Sequence, residues 1–329
     1  EITTRLVGSE MCIRDSNIPT AAYETFTDAD EAIAYIKKQN SFPAVIKCDG
    51  LALGKGVIIA KDEQEAENAV RSMLLDGKFG KSGSEIVVEE FMTGPEVTVL
   101  AFTDGKTVKP MISSMDHKRA YDNDEGLNTG GMGTIAPNPL YTPDKQQECM
   151  EKIFLPTIKA MAAEGRPFKG CLYFGLMLTP NGAKVIEYNC RFGDPETQVV
   201  LPLLETDIMD IIEAVWEEKL DTLDIKWSDK SCACVVMASG GYPEKYETGK
   251  VISGLDENGQ CEGAFVYHAG TKLEDGKFLT AGGRVLGITA YGDTLKEALD
   301  TAYKAVDTIS FEKAHYRHDI GKKALSALK

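Results

Sequence analysis

The sequence has few of the residues that build disulfide-stapled, metal-centred or membrane-spanning proteins. Its eight cysteines include no Cys-x-x-Cys pair, and of its four histidines only His315 and His318 lie near one another. Neither a zinc ribbon nor a disulfide framework is indicated, and we expect the cysteines to be reduced and mostly buried. No apolar run reaches the roughly 18 residues of a membrane helix. The longest candidate, 201–216, is interrupted by acidic residues and predicts an amphipathic helix.

Positive charge is also scarce. The chain has 36 Lys and Arg against 51 Asp and Glu, a net charge of −15, which excludes nucleic acid and anionic membranes as expected partners. Several basic residues nevertheless stand in or beside glycine-rich strings, where a small anionic substrate could bind. They are Lys47, Lys55, Lys118, Arg119, Arg191, Lys272 and Arg284. At 329 residues and 43% hydrophobic content, the chain is expected to form two domains or more.

The first residues differ from the rest. Residues 1–16 contain no initiator methionine at their start, no signal-peptide layout and no hydrophobic periodicity. The stretch resembles translated sequencing-adapter read-through. We therefore predict a non-native leader that contributes little to packing.

One stretch places a carboxylate, an amide and a guanidinium in a row after an apolar strand, VIEYNCRFGDPE from Val185. Alternate strand residues share a face, so Glu187 and Asn189 are expected to project together. Two oxygen donors suit Mg²⁺ that is shared with nucleotide phosphates, and Arg191 could neutralise a transferring phosphoryl group. A solvated acid with a surface salt bridge explains the string about equally well.

A glycine-punctuated loop joins two β-rich runs between Ala44 and Ala60. Glycine lets backbone N–H groups approach phosphate oxygens, and Lys47 and Lys55 supply positive charge. The loop fits neither a Walker A motif nor a dinucleotide GxGxxG motif. It predicts a flap between antiparallel strands, although a glycine hairpin without a ligand fits as well.

A third segment reads as a strand, Glu85 to Met92, that runs into a hinge and a second strand from Val97. The exposed backbone at the end of the first strand could contact an adenine edge, and Glu96 could hold ribose hydroxyls. An ordinary turn with solvated acids is the alternative. The order of flap, hinge and Glu-x-Asn-x-Arg along one chain favours a nucleotide site.

These segments, in this order, resemble the ATP-grasp superfamily and, more closely, the phosphoribosylamine–glycine ligase (glycinamide ribonucleotide synthetase) family. The matching strings, from about Asn17 to the end, are IKCDGLALGKGV, VVEEFMTGPE, SMDHKRAYDNDEGLNTGGMG, EYNCRFGDPETQ, HAGTK and GGRVL. The third string separates this family from carboxylases and D-alanine ligases of similar architecture.

The resemblance implies an α+β fold: an ATP-grasp domain over 17–225 with a small lid at about 41–103 and a larger antiparallel-sheet part, then a smaller strand-rich C-terminal domain over 230–329. It also implies that a Rossmann-like N-terminal domain of about 100 residues is missing. The family also has an ATP-contacting lysine just upstream of the segment that begins at Asn17. That region is replaced in this sequence, so the contact is in doubt. The third acidic metal ligand of many ATP-grasp enzymes is absent as well, since no Asp or Glu lies between Glu164 and Glu187.

The implied activity is ATP-dependent ligation of glycine to 5-phosphoribosylamine through glycyl phosphate, in de novo purine biosynthesis. The implied cofactors are ATP and Mg²⁺ or Mn²⁺, and the implied state is a cytoplasmic monomer. A purine-pathway carboxylase, a formate-dependent transformylase and an inactive ATP-binding fragment are the alternatives.

The resemblance also implies roles for individual residues. Glu187 and Asn189 would bind the metal, and Arg191, Asp116 and Lys118 would be catalytic. The ATP-binding residues would be Lys47, Gly54, Lys55, Gly56, Glu89, Glu90, Phe91, Met92 and Glu96. The substrate-binding residues would be Asp116, His117, Lys118, Arg119, Asn128, Thr129, Gly130, Gly131, Met132, Gly133, Lys272 and Arg284.

Local signals predict the elements. Helices are expected from Asp28, from Asp62, over 144–163, over 207–218 and from Thr294. Strands are expected at 43–48, 57–60 and from Cys232. Asp104-Gly105 and Asn181-Gly182 indicate hairpins.

Overall fold

The computed structural model describes residues 16–49, 56–76 and 83–328, so the predicted leader lies almost wholly outside the described residues. The strands are β1 (Tyr23–Phe26), β2 (Ala44–Cys48), β3 (Val57–Ala60), β4 (Ile86–Glu90), β5 (Glu96–Asp104), β6 (Val108–Pro110), β7 (Met115–Asp116), β8 (Arg119–Tyr121), β9 (Glu125–Asn128), β10 (Gly133–Ala136), β11 (Lys169–Thr179), β12 (Gly182–Asn189), β13 (Ser231–Ser239), β14 (Phe265–His268), β15 (Thr271–Glu274), β16 (Lys277–Thr280), β17 (Arg284–Gly292) and β18 (Ala314–His315). The α-helices are α1 (Ala29–Gln39), α2 (Glu63–Leu74), α3 (Pro143–Cys149), α4 (Leu155–Ala163), α5 (Thr197–Val200), α6 (Ile208–Trp216), α7 (Leu295–Val306) and α8 (Lys322–Ala327).

The chain divides into two compact units. The first comprises the described parts of 1–95 with 147–167 and 176–188, and the second comprises 96–146, 168–175 and 189–328. The predicted boundaries at 17–225 and 230–329, and the lid at 41–103, stay predictions. In both units helices pack with antiparallel sheets, which confirms the α+β class.

A four-stranded antiparallel sheet in the order β1-β4-β2-β3 organises the first unit. Helices α1 and α2 pack on it through small and branched residues such as Ala32, Ile46 and Val70. Asp28 begins α1 by accepting hydrogen bonds from two backbone N–H groups at 2.9 Å, and Asp62 begins α2 in the same way. A side-chain oxygen at the N-cap satisfies donors that the first turn leaves unpaired, so both predicted starts are confirmed.

The core of the second unit lies around β13, which is central in a sheet of order β14-β17-β13-β10-β7. Cys232 and Cys234 point into one apolar cluster, whereas Ala233 and Val235 point into another with α7. Both faces of β13 are covered, which agrees with the unbroken apolar run from Cys232 to Ala238. The prediction that the two cysteines share a face is confirmed.

The two hairpin predictions also agree with the structure. β5 is followed closely by its antiparallel partner β6, and β11 by its neighbour β12. None of the helices in the described ranges is long and apolar enough to cross a membrane.

The prediction of one amphipathic helix over 201–216 is wrong. A 3₁₀ turn, Leu201–Leu203, ends at Leu204, and α6 begins only at Ile208. Between them the backbone pairs elsewhere, because Glu205 N–H donates to Lys226 O at 3.0 Å. The Asp207 side chain then accepts from Met209 N–H and starts the helix.

Candidate active site

Two predicted nucleotide-site residues meet on the sheet of the first unit. Lys47 on β2 and Glu89 on β4 are diagonal neighbours on one face, with Nζ 2.6 Å from Oε2. Their side chains are only 19% and 11% exposed. Partial burial strengthens the attraction of such a pair and holds both long side chains in place. Lys47 is therefore a preorganised cation at the start of the glycine loop.

The predicted phosphate loop, residues 50–56, lies only in part within the described residues. Gly54 and Lys55 lie outside the described residues, whereas Gly56 O accepts a hydrogen bond from Cys48 N–H at 2.9 Å. The β2–β3 pairing runs in register from Ala44 opposite Ala60. The antiparallel strands predicted to flank the flap are thus confirmed.

The end of β4 leads into the predicted hinge. Glu90 pairs with Lys184, which lowers the pKa of its carboxyl, while Phe91 is 40% exposed and Met92 is half-buried. Gly94 has φ +150°, and a Cβ there would lie 2.2 Å from Leu178 O. Only glycine tolerates that approach.

The predicted substrate-binding string Asp116–Arg119, which we call the acceptor motif, lies in the second unit and begins on β7. Lys118 Nζ is 3.4 Å from Glu96 Oε2, and Asp116 Oδ1 accepts a hydrogen bond from His117 N–H at 2.7 Å. Glu96, which was predicted to bind ATP, therefore lies close to Asp116 and Lys118, which were predicted to bind substrate. Lys118 supplies the positive charge there.

The loop from Thr129 to Gly133 is tied to this motif. Thr129 donates from its N–H and its hydroxyl to Lys118 O, at 2.7 and 2.8 Å. Met132, fully buried, donates from its N–H to His117 O at 2.9 Å. Gly130 N–H donates to the Tyr242 hydroxyl at 3.1 Å. The DHKR and NTGGMG strings thus form one structure, which sequence order alone did not require.

Arg119 and Asn128 face each other on a separate two-stranded hairpin. They are directly opposite in the β8–β9 pairing, and Arg119 Nη1 donates to Gly126 O at 2.7 Å. Asn128 is exposed. The contacts of Arg119 therefore hold the hairpin that leads into the loop.

His117 lies buried between backbone groups. Its Nδ1 is 3.1 Å from Gly133 O, so it donates there, and its Nε2 accepts from Gly321 N–H at 3.1 Å. Burial, with a contribution from the Arg317 charge, lowers the pKa of His117 to about 4. Both ring nitrogens are used by the fold, and the ring is neutral at pH 7.

Arg284 and Lys272 were predicted together but have different environments. Arg284 Nη1 donates to Gly130 O and Asp194 O, both at 2.8 Å, and Nη2 donates to Asp194 Oδ2 at 2.8 Å. Lys272, on the exposed β15–β16 hairpin, pairs with Glu274. Arg284 thus connects the Thr129–Gly133 loop to the turn after Gly193.

Sequence reasoning missed Glu196, which is 4% exposed. Its Oε1 accepts from the Tyr173 hydroxyl at 3.0 Å. Burial raises the pKa of both Glu196 and Asp116, and the Glu196 charge adds to the rise at Asp116. The only sequence signal was that GDPE directly follows the string that is predicted to bind the metal.

The proposed metal ligands lie at the end of β12. Glu187 is exposed and Asn189 is half-buried, and Arg191 Nη2 lies 3.5 Å from Asn189 Oδ1. Within the described ranges, no group of three or more His, Cys, Asp and Glu side chains could hold a metal ion. One carboxylate and one amide fit Mg²⁺ only in its usual form, with water and substrate phosphates as further ligands.

Comparison with known proteins decides the family. A model described as "Phosphoribosylglycinamide synthetase, ATP-grasp (A) domain" matches residues 9–197, and one for the C domain of the same synthetase matches 232–323. The chain belongs to the phosphoribosylglycinamide synthetase family. The predicted ATP-grasp fold, the carbon–nitrogen ligase class and the use of ATP are confirmed at that level.

Similar proteins support the assignment. A phosphoribosylamine–glycine ligase from Caldanaerobacter subterraneus is 50% identical over 303 residues, covering 92% of this chain and 72% of the relative. One from Vibrio parahaemolyticus is 45% identical and covers 99% and 77%. The crystal structure of a phosphoribosylamine–glycine ligase from Thermotoga maritima has a TM-score of 0.85 at 32% identity and covers 97% and 79%.

More distant structures share only the fold. The biotin carboxylase domain of a Hydrogenobacter thermophilus 2-oxoglutarate carboxylase has a TM-score of 0.69 at 15% identity. An L-amino acid ligase from Bacillus licheniformis has a TM-score of 0.65 at 17% identity.

Proposed function

We propose that this chain ligates glycine to 5-phosphoribosylamine, yielding glycinamide ribonucleotide, ADP and phosphate. The observation that carries the proposal is the set of hydrogen bonds between the Thr129–Gly133 loop and the acceptor motif. Thr129 donates to Lys118 O, and Met132 donates to His117 O. Those two strings distinguish this family from other ATP-grasp enzymes. Relatives named for this activity cover the chain almost completely.

The first chemical step would be attack of the glycine carboxylate on the γ-phosphorus of ATP. It forms glycyl phosphate and releases ADP. The amine of phosphoribosylamine then attacks the acyl carbon, inorganic phosphate leaves, and the amine loses a proton. No enzyme nucleophile is required, so positioning and charge neutralisation carry the catalysis.

The residues proposed to bind the nucleotide lie on the four-stranded sheet of the first unit and in the predicted hinge after β4. Lys47, held by Glu89, would contact phosphate oxygens. The same role is proposed for Gly54, Lys55 and Gly56 from their place in the sequence. The backbone from Glu89 to Met92 would contact adenine. Glu96, whose Oε2 lies 3.4 Å from Lys118 Nζ, would accept hydrogen bonds from the ribose.

Glu187 and Asn189 would hold Mg²⁺ or Mn²⁺ together with ATP phosphates. A bound cation would neutralise phosphate charge. Arg191, exposed at the end of β12, would add a second positive charge toward the transferring group. Asp116, Lys118 and the Thr129–Gly133 loop would position the acceptor substrates.

The proposed substrates separate this activity from related ones. A carboxylase would respond to bicarbonate and a transformylase to formate, and both family models that match here are those of the synthetase. An ATP-binding chain without ligase activity would respond to none of these.

A coupled ADP assay on the 329-residue chain tests the proposal. We expect ADP release that requires both glycine and phosphoribosylamine and is not supported by bicarbonate or formate. The Caldanaerobacter relative serves as the positive control. ATP binding without substrate-dependent ADP release would contradict the proposal.

A further inference from the structure

Arg317 is a buried charged residue that has no part in the roles above. It lies between β18 and α8 in the second unit, and its side chain is 1% exposed. Nε and Nη2 donate to the two carboxylate oxygens of Asp319, at 2.8 and 2.9 Å, and Nη1 lies 3.0 Å from Asp124 Oδ1. A guanidinium with several fixed donors holds the groups that it contacts in one geometry.

Arg317 and Asp319 hold the turn of the β8–β9 hairpin. At that turn Asn123 and Asp124 have φ +60° and +56°, in the left-handed region that costs free energy for residues with a Cβ. Asn123 N–H donates to Asp319 Oδ2 at 2.8 Å, and Asp124 is paired with Arg317. These contacts stabilise a backbone conformation that the turn would adopt less readily alone.

The C-terminal segment also contacts the acceptor motif itself. Arg317 Nη1 donates to Arg119 O at 3.2 Å. Gly321 N–H donates to Nε2 of the buried His117 ring at 3.1 Å. The segment therefore contacts the residues on both sides of Lys118.

Lys118 lies at the base of the same hairpin. Its carbonyl oxygen accepts from the Thr129 N–H and hydroxyl, at 2.7 and 2.8 Å, and its Nζ is 3.4 Å from Glu96 Oε2. The chain between Lys118 and Thr129 is the hairpin whose turn Arg317 holds. Release of the turn is therefore expected to shift Lys118 as well.

We propose that Arg317 is a positioning residue for the ligation. With Asp319 it fixes the hairpin turn and the Arg119 carbonyl, and it thereby keeps the Lys118 ammonium where the acceptor substrates bind. Because Arg317 is buried, it acts through these neighbours and does not touch substrate. The inference rests on the proposed function, which assigns Lys118 to the acceptor substrates. A shift of about 1 Å in such a group can lower a rate about a hundredfold.

Steady-state kinetics of two variants tests the role. Arg317→Lys keeps the charge but loses the fork, and Asp319→Asn removes the carboxylate that the fork binds. We expect kcat/KM for glycine and for phosphoribosylamine to fall at least about tenfold, while the affinity for ATP, measured by calorimetry, stays within about threefold. Circular dichroism confirms that each variant is folded, and Asp319→Asn carries the test if Arg317→Lys is not.

Two controls separate positioning from loss of stability. Val306→Ala truncates a buried side chain of α7 and lowers the stability of the same unit from another element. It should keep wild-type kinetics wherever it is folded. Glu312→Gln, at an exposed position close to Arg317 in the sequence, should match the wild type in stability and kinetics.

Hydrogen exchange of the ligand-free chain measures the positioning without catalysis. The backbone N–H groups of Thr129 and Met132 donate to the acceptor motif, so their exchange reports how firmly it is held. We expect exchange there to be at least about fivefold faster in Arg317→Lys and Asp319→Asn, and unchanged in Glu312→Gln.

The outcomes separate the two proposals. Wild-type kcat/KM in a folded variant, or an equal loss of ATP affinity, overturns the positioning role and leaves the proposed function standing. Absence of ligation by the wild-type chain overturns the proposed function, and the exchange rates then decide whether Arg317 holds the acceptor motif. Equal exchange in the wild type and both variants overturns that hold.

Discussion

Arg284 and Asp194 form a two-point contact, in which Nη1 donates to the backbone oxygen and Nη2 to Oδ2, both at 2.8 Å. The same guanidinium donates to Gly130 O at 2.8 Å. A planar fork of donors can make these bonds at once, whereas an ammonium group cannot match their geometry.

Arg284→Lys is therefore expected to lower the free energy of unfolding by about 1 kcal/mol, because the charged guanidinium hydrogen bonds to the two backbone oxygens and to the Asp194 carboxylate cannot all be kept by an ammonium group. Urea unfolding measures the change. Arg166→Lys, at an exposed position, is the matched control and should stay within about 0.5 kcal/mol of the wild type. Equal effects of the two substitutions would show that the contacts of Arg284 with Gly130 and Asp194 do not stabilise the fold.

Gly131 is expected to tolerate no side chain. It has φ +115°, and a Cβ there would lie 2.4 Å from Pro195 Cδ. Gly131→Ala should lower the free energy of unfolding by about 2 to 4 kcal/mol, from backbone strain and steric overlap together. Gly276, with φ +73° and no atom within 4 Å of its Cβ position, separates the two causes. Gly276→Ala should cost only about 1 kcal/mol, and a similar cost at both sites would contradict the close approach.

The buried His117 ring predicts a pH dependence of stability. Its folded pKa of about 4 lies below the ordinary 6.5, so the unfolded chain binds the proton more readily. The free energy of unfolding should then fall as the pH drops from about 6.5 toward 4, at about 1.4 kcal/mol per pKa unit.

His117→Gln removes that titration, so we expect the stability difference between wild type and variant to shrink as the pH falls. Urea unfolding at several pH values between 7.5 and 4.5 measures it. Gln64→Asn, at an exposed position whose side chain does not ionise, is the control and should give a difference that does not vary with pH. A constant difference for His117→Gln would mean that its ring titrates normally.

Glu187 is the carboxylate in the proposed metal site. Glu187→Gln should weaken ATP binding at least tenfold in the presence of Mg²⁺ and much less in its absence, because only the carboxylate charge is lost. Calorimetry with and without Mg²⁺ measures both values. Glu24→Gln, exposed on β1, should leave both unchanged. Unaltered affinity in the Glu187 variant would remove this residue from the metal site.

Local structure was largely predictable. Asp28, Asp62 and Thr294 each precede an amphipathic stretch and begin α1, α2 and α7, because capping and apolar periodicity act over a few residues. The prediction of one helix over 201–216 was wrong for a physical reason. Leu204 forms a bridge with Trp227, and pairing with a distant residue outweighed the local helical pattern.

The amino-acid sequence alone determined the family, most of the helices and strands, and the candidate chemistry. Motif spacing and hydrophobic periodicity depend only on residues that are close together in the chain. Tertiary structure alone decided the partners: His117 bonds to backbone at Gly133 and Gly321, Arg284 to the turn at Asp194, and Glu196 lies buried near Asp116. Those contacts join residues far apart in the chain. Burial and charge at such junctions depend on packing, which no local pattern encodes.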